Sequence, residues 1–362
     1  MSETAFVPTR VRVLIVDDSA FMRTSLSRMI GSEPDFEVVG TAANGTIALE
    51  KIESLDPEVV TLDVAMPGLD GLATLRCIMS RFPRPVIMVS GATDKDSEST
   101  VDALSAGAFD YVPKQMSASS LDISHIRSDL ITKIRAAARS RRSIHKDGIA
   151  RKPPSSVRET ARSGSPAVVA IGASTGGPGA LEEILPQLPS DFALPVVIVQ
   201  HMPPGYTGPF AERLNRLCAI PVRETSQSEE LLPGVVYIAA SGKHMRIVRL
   251  PNSQVVIYLD IYPENARHTP SIDVLMESVA ECFGARSLGV ILTGMGADGA
   301  EGMSAIFRQG GITLGQDEGT CAVYGMPRVC AERGILSRVV PLPEMATQIL
   351  HLTRSRMHAS AG

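Results

Sequence analysis

Short apolar runs alternate along the chain with longer stretches in which apolar residues recur at helical spacing. In the first part of the sequence the apolar runs lie at 11–16, 37–40, 59–62, 85–90 and 109–112. The stretches of helical spacing begin near Ser19, Gly45, Gly71 and Ser97. Such alternation is typical of βαβ units, whose strands form a parallel sheet. The pattern therefore predicts an α/β domain built on five parallel strands.

A second block repeats this alternation with further apolar runs. They lie at 167–171, 195–200, 235–239, 245–250, 254–259 and 288–293. Only residues 251–253 separate the fourth run from the fifth, so these two runs are predicted to pair as an antiparallel hairpin. The second block is therefore predicted to form a doubly wound, mostly parallel sheet with an antiparallel hairpin.

The pattern changes between the two blocks. Helical spacing continues from residue 126, but most of 126–162 has no apolar period and is rich in Ser, Pro and Arg, with eleven Lys and Arg against three acids. A basic arm for nucleic acid or acidic lipid is one interpretation, and a solvated linker is the favoured one. A chain of 362 residues suggests about two domains. We predict one domain at 10–125, a helix extension and flexible basic linker at 126–165, and a second domain at 166–355.

Composition excludes several classes of protein. A net charge of −4, the absence of Trp and 4% aromatic residues argue against a nucleic-acid partner. The five Cys have no metal-ligand spacing and indicate a reducing cytosol. The first ten residues lack the apolar core of a signal peptide, and no apolar run approaches the ~18 residues of a membrane span. We expect a cytoplasmic protein without membrane insertion.

Charged and polar residues follow the predicted strands of the first domain. Asp17 and Asp18 end the first strand, Asp63 the third and Ser90 the fourth, and Lys114 follows the fifth. The carboxyl ends of parallel strands converge on one crevice, so these side chains are predicted to form one pocket. Its crowded carboxylates suit Mg²⁺, with Asp63 placed to attack phosphorus. A helix-capping role explains one Asp well but this ordered set poorly.

These residues, with D-V-A-M-P-G-L-D-G at 63–71 and Y-V-P-K at 111–114, resemble the receiver domain of two-component response regulators over about residues 10–125. The resemblance implies a flavodoxin-like sheet and phosphorylation of Asp63 by a chemotaxis histidine kinase. It also implies that Ser90 contacts the phosphoryl group, that Lys114 pairs with it, and that Tyr111 is an aromatic switch.

The same resemblance implies Mg²⁺ bound by Asp18, Asp63 and the carbonyl of Ala65, with Asp17 in the same acidic set. Two positions depart from the family pattern. Ala65 stands where related proteins often have Glu, which affects the expected rate of dephosphorylation. Gln115 replaces the Pro that usually follows the Lys, which puts a cis peptide there in doubt.

Residues 168–180, VVAIGASTGGPGA, predict a strand, a glycine-rich turn that presents Ser174, and a helix. Such a turn suits either a nucleophile or a phosphate cradle. The sequence has no GxGxxG here and no Lys after the turn, which favours the nucleophile. His201 and Asp298 each follow another predicted strand, and we assign them as base and orienting acid.

Other residues could contribute to the same site. His244 begins the predicted hairpin and His268 precedes a predicted helix, so either could line the site instead. Asp260 and Asp273 are weaker candidates for the acid. The turn matches the GxSxG string of α/β-hydrolases, but the chain order here is Ser, His, Asp, and not their Ser, Asp, His.

The second block resembles the catalytic domain of chemotaxis protein-glutamate methylesterases. The matching motifs include I-G-A-S-T-G-G, Q-H-M-P-P-G-Y-T, R-H-x-P-S-I-D-V-L, G-V-I-L-T-G-M-G-A-D-G and Y-G-M-P-R, within 166–340. The resemblance implies hydrolysis of γ-glutamyl methyl esters, and deamidation of glutamines, on methyl-accepting chemoreceptors. It implies that backbone N–H groups of Thr175 and Met295 hold the oxyanion and that the esterase domain needs no cofactor.

Two alternatives remain open from the sequence. One is a phosphorylation-gated receptor-binding protein whose esterase domain is only a scaffold. The other keeps the chemistry but serves a signalling system other than flagellar chemotaxis. For regulation we expect the receiver to restrain the esterase until Asp63 is phosphorylated.

Overall fold

The computed structural model describes residues 10–91, 94–114, 120–144, 165–225, 229–264 and 266–354. Gln115 and residues 145–164 of the predicted linker lie outside the described residues. The chain divides into two compact units, one within residues 1–150 and the other within 151–362.

The first unit is a parallel sheet with helices between its strands. Its strands are β1 (Val11–Val16), β2 (Phe36–Ala42), β3 (Val59–Asp63), β4 (Val86–Ser90) and β5 (Asp110–Pro113). Its helices are α1 (Ala20–Gly31), α2 (Gly45–Leu55), α3 (Gly71–Arg81), α4 (Asp94–Ser105) and α5 (Ser120–Ile144). The strand order is β2-β1-β3-β4-β5, with every pair parallel. The predicted flavodoxin-like sheet is confirmed.

Apolar periodicity explains why α5 closes this sheet. Leu130, Ile131 and Ile134 recur at helical spacing and are buried in the same apolar cluster as Val13 and Ile15 of β1. Burial of such side chains contributes roughly 25 cal/mol per Å² of apolar surface. The helix therefore belongs to the core of the first unit.

The second unit contains a larger parallel sheet. Its strands are β6 (Val168–Ala173), β7 (Val196–Gln200), β8 (Val222–Glu224), β9 (Glu229–Glu230), β10 (Val236–Ile238), β11 (His244–Arg249), β12 (Val255–Asp260), β13 (Ser287–Ile291), β14 (Ile312–Gln316) and β15 (Arg338–Val340). Its helices are α6 (Gly177–Ile184), α7 (Thr207–Leu217), α8 (Ile272–Phe283), α9 (Ala300–Arg308), α10 (Met326–Glu332) and α11 (Leu342–Arg354).

Seven of these strands pair in the order β15-β14-β13-β6-β7-β10-β8, and all of the pairs are parallel. The central strands β6, β7 and β13 are buried along their whole length, as expected of a sheet covered on both faces. The doubly wound fold class is confirmed.

The hairpin also forms, but outside the main sheet. β11 and β12 pair antiparallel, and β12 pairs with the short β9, in a separate three-stranded sheet. Its inner face, with Met245, Ile247 and Ile257, packs in the core cluster that includes α8. The hairpin is therefore a separate layer that packs through apolar side chains, and none of its described strands pairs with a strand of the parallel sheet.

Within the part of the chain that the structure describes, none of the helices combines the length and the hydrophobicity that crossing a membrane requires.

Candidate active site and acidic pocket

Two carboxylates of the first unit are buried at the carboxyl ends of neighbouring strands. Asp17 follows β1 and Asp63 ends β3, and both side chains are almost fully buried, whereas Asp18 is exposed. Oxygens of these three residues lie within 4.8 Å of one another. A cluster of carboxylate oxygens of this size fits a hard divalent cation such as Mg²⁺.

Lys114 pairs with both buried carboxylates. Its Nζ lies 2.9 Å from Asp17 Oδ2 and 2.7 Å from Asp63 Oδ1. Burial raises the pKa of Asp63, and the hydrogen bond and charge of Lys114 only partly offset this. Burial alone would lower the pKa of Lys114, but its hydrogen bonds to Asp63 and Asp17 outweigh burial and raise it. The lysine therefore stays charged beside the candidate phosphorylation site.

The other predicted residues of the pocket come from β4 and β5. Ser90 ends β4, is fully buried, and accepts a hydrogen bond of 2.7 Å from Thr100 of α4. Tyr111 of β5 is buried. Lys133 of α5 donates to the Tyr111 carbonyl at 2.6 Å and lies 5.3 Å from the centre of its ring. The tyrosine is thus tied to the last helix of the first unit.

Glycines after β6 create the turn that presents Ser174. Gly176 has φ +76, and a Cβ there would lie 2.5 Å from the Cβ of Ala322. A Cβ on Gly294, in the loop after β13, would lie 2.7 Å from the Cβ of Ser174. Only glycine fits these two places, because a Cβ would displace Ala322 in the first case and Ser174 in the second. Gln200 fixes the turn further by donating to the Ser174 carbonyl at 2.9 Å.

Strand register places His201 beside Ser174. Ala173 at the end of β6 pairs with Gln200 at the end of β7, so the next residue on each strand is Ser174 and His201. The His201 N–H donates to the Ala173 carbonyl at 3.0 Å. Neighbouring strands lie about 5 Å apart, which brings the two side chains to the same sheet edge.

His201 is bound at one ring nitrogen. Its Nε2 lies 2.7 Å from Oδ2 of Asp298, and its Nδ1 is buried without a hydrogen-bond partner among the described residues. The Ser174 Oγ makes no hydrogen bond to another described residue. Nδ1 is therefore the nitrogen left to accept a proton, and hydrogen bonds of this kind often form only when the substrate binds.

Asp298 sits at the N-terminus of α8. Beyond His201, its two oxygens accept hydrogen bonds of 2.9–3.1 Å from the Ser271 hydroxyl and from the N–H groups of Ile272, Asp273 and Gly299. Burial by itself would raise the pKa of Asp298, but the hydrogen bond and charge of His201 and the backbone donors lower it well below its usual range. The carboxylate is held ionised, in the state that orients a base.

Two backbone N–H groups adjoin Ser174. Thr175 follows the serine directly, and Met295 follows Gly294, which packs against it. Among the described residues, neither of these N–H groups donates to another group. They are therefore available to a negatively charged oxygen at this place.

The remaining candidate residues have different positions. His268 stacks on His201, with ring centres 4.2 Å apart and ring planes at 20°. His244 is fully buried, and its Nδ1 accepts from the Ser271 N–H at 3.1 Å. Asp260 pairs with Arg246, and Asp273 accepts from the Gly302 N–H at 2.9 Å. Neither aspartate takes the place of Asp298.

Sequence analysis missed one layer of this site, the N–H groups at the start of α8. The signal was present in the S-I-D-V run, because Ser271 is an N-cap whose hydroxyl accepts from Val274. Sequence does not say that the N-terminus of this helix points at a residue of another loop.

Comparison with known proteins finds a matching family model for each of the two units. The family model described as CheB methylesterase matches residues 169–349, and the one described as response regulator receiver domain matches residues 13–124. A protein-glutamate methylesterase/protein-glutamine glutaminase of Oleidesulfovibrio alaskensis is 45% identical, over 94% of this chain and 99% of the relative.

A protein of the same name from Salmonella typhimurium is 44% identical, over 94% of this chain and 97% of its own length. Among solved structures, the CheB methylesterase catalytic domain of Thermotoga maritima is 38% identical with a TM-score of 0.50. The alignment covers 52% of this chain and 99% of the solved domain.

Proposed function

The chain belongs to the CheB methylesterase family, and from that membership we propose that it demethylates γ-glutamyl methyl esters, and deamidates glutamines, on methyl-accepting chemoreceptors. The observation that carries the chemistry is the 2.7 Å hydrogen bond between His201 and Asp298 at the sheet edge where Ser174 also lies. We place the reaction in the cytoplasm, where the methylated receptor segments lie.

Ser174 is the proposed nucleophile. Its Oγ attacks the γ-carbonyl carbon, and its proton moves to Nδ1 of His201. The C–O bond to the methoxy group then breaks, and methanol leaves with that proton. Water attacks the acyl-enzyme in the same way, giving the glutamate carboxyl group and free Ser174. With a glutamine substrate the leaving group is ammonia.

Charge that develops on the reacting groups is stabilised by a fixed carboxylate and by fixed backbone dipoles. Asp298 stabilises the positive charge that His201 gains, and the N–H groups of Thr175 and Met295 donate to the oxyanion. The N-terminus of α6, where Pro178 lies in the first turn, adds its positive end. Removing one oxyanion donor typically costs about 3 kcal/mol of barrier.

The first unit is the proposed regulator. A chemotaxis histidine kinase supplies the phosphoryl group from its phosphohistidine. An oxygen of Asp63 attacks the phosphorus, the P–N bond breaks, and the kinase imidazole leaves. Asp17, Asp18, Asp63 and the Ala65 carbonyl would hold Mg²⁺, which offsets the negative charge of phosphoryl oxygens. Lys114 pairs with the phosphoryl group and Ser90 contacts it. Tyr111 is the aromatic switch that responds to the phosphorylation of Asp63.

Ser174→Ala tests the proposed nucleophile. Without Oγ no acyl-enzyme can form, so we expect methanol release from methylated receptor membranes to fall at least 10³-fold. The matched control is Ser304→Ala on α9, which we expect to leave the rate unchanged. Substantial turnover by Ser174→Ala would reject the mechanism, and no methanol release by the unaltered protein would favour a receptor-binding role without catalysis.

A further inference from the structure

The residue with the closest ring contact to the candidate base has no role in the chemistry described above. The His268 ring stacks on the His201 ring with centres 4.2 Å apart and planes at 20°. A near-parallel pair at this distance covers one face of the His201 ring with an aromatic surface. That face is then closed to water.

The His201 ring needs a second constraint. Its one ring hydrogen bond to a described residue, from Nε2 to Asp298, fixes a point on the ring but leaves the ring free to tilt about that point. Nδ1 lies at the other side of the ring, so a tilt displaces the nitrogen that must reach Ser174. Misplacement of a reacting group by about 1 Å can cost a hundredfold in rate.

His268 is anchored next to the segment that holds Asp298. The carbonyl of Thr269 accepts from the Gly242 N–H at 3.3 Å, and Ser271 bonds to both Asp298 and His244. Residues 268–273 therefore bind both members of the His201–Asp298 pair, one through a ring face and the other through hydrogen bonds. The two constraints share one short stretch of backbone.

The charge of His268 is compatible with this position. Burial, followed by the positive charge of His201, lowers the pKa of His268 to about 4, although Asp298 acts in the opposite direction. The ring is therefore neutral near pH 7. A neutral aromatic face does not repel the positive charge that His201 gains during the reaction.

We propose that His268 is a positioning residue for the methylesterase reaction, which holds the His201 ring in the plane that directs Nδ1 at Ser174 and keeps water from its face. The proposal rests on the function proposed above. It requires the aromatic surface of His268 and not its nitrogens.

Two substitutions separate these features. His268→Phe keeps a flat aromatic face without nitrogens, and we expect it to retain at least half of kcat. His268→Ala removes the face, and we expect kcat for methanol release to fall roughly tenfold to a hundredfold, with KM within about a factor of two. Thermal unfolding of each variant shows whether the fold is intact.

The pH profile is the second measurement. Water that reaches the exposed ring in His268→Ala favours the charged form, so we expect the acid limb of kcat/KM to move to higher pH, and to stay in place in His268→Phe. The matched control is His351→Ala, an exposed histidine of α11, which we expect to change neither kcat nor the profile.

The outcomes distinguish the two proposals. If folded His268→Phe loses as much activity as His268→Ala, or if His268→Ala keeps full activity and an unmoved acid limb, the positioning role is wrong. Ser174→Ala measured in the same assay tests the proposed function itself, since its continued turnover would reject the nucleophile whatever the histidine variants do.

Discussion

The two oxygens of Asp298 accept hydrogen bonds from the candidate base and from the first turn of α8. Each oxygen faces at least one backbone N–H, so no orientation of an amide side chain can accept all of these bonds. At the scale of the residue, the same carboxylate therefore serves the chemistry and the start of a helix.

Asp298→Asn should for this reason lower both activity and stability. We expect kcat to fall about 10³- to 10⁴-fold, because the His201 tautomer is no longer fixed. We expect the free energy of unfolding to fall by about 1–3 kcal/mol, because a buried N–H loses its acceptor. Urea unfolding and methanol release measure the two effects, and Ser174→Ala is the control that loses activity alone. Unchanged stability in Asp298→Asn would show that the α8 contacts are not needed.

The strands differ in how far the sequence alone predicted them. All five strands of the first unit were predicted, because each combines a buried apolar run with a turn on either side. β9, with the sequence Glu229–Glu230, and the three-residue β8 and β15 were not predicted, since so few residues show no periodicity. β14 was also missed, and the hairpin was assigned to the main sheet, because pairing partners depend on packing that a local pattern does not contain.

The candidate site shows the same division. Ser174, His201 and Asp298 could be selected because each follows an apolar strand, and parallel strands bring their ends together. The stacking of His268 on His201 could not, because it depends on how the loop before α8 folds back.

Contacts between α5 and β5 are the element-scale feature that we expect to matter most for the first unit. Lys133 of α5 lies 3.4 Å from Asp110 and 3.0 Å from Asp129, and donates to the Tyr111 carbonyl. Burial alone would lower the pKa of Lys133, but the two carboxylates outweigh burial and raise it. The positive charge of Lys133 is therefore stabilised by the negative charges of Asp110 and Asp129.

Lys133→Met should leave both carboxylates without their cation. We expect a loss of about 3 kcal/mol in the free energy of unfolding, as for the removal of one member of a buried ion pair. Arg333→Met, which breaks an exposed pair with Glu301, is the matched control and should cost less than about 1 kcal/mol. Urea unfolding followed by circular dichroism measures both, and equal small losses would contradict the expectation.

At the scale of the whole molecule, a candidate phosphorylation site in one unit is joined by the chain to a candidate esterase site in the other. We expect a small-molecule phosphodonor with Mg²⁺ to raise methanol release by the full chain. Asp63→Asn should abolish the increase and keep the basal rate, because an amide does not attack phosphorus and residue 63 lies outside the esterase unit. Asp70→Asn, at the exposed N-cap of α3, is the matched control, since Asn also caps helices.

We expect a fragment of residues 166–362 to give the complementary result. If the receiver restrains the esterase, the fragment should release methanol faster than the unphosphorylated full chain and should not respond to the phosphodonor. A fragment that is no more active than the full chain would reject restraint as the mode of regulation.

The order of strands in the main sheet also bears on how such an enzyme can diversify. His201 and Asp298 are 97 positions apart in the chain, yet β13, β6 and β7 are neighbours, and the hairpin sheet lies in the sequence between these two residues. The exposed turn at 251–253 is at the end of the hairpin remote from His244. Insertions in that turn leave the strand ends of the main sheet in place. A new recognition loop can therefore be grafted there, or arise there by evolution, while the hydrolytic chemistry stays intact.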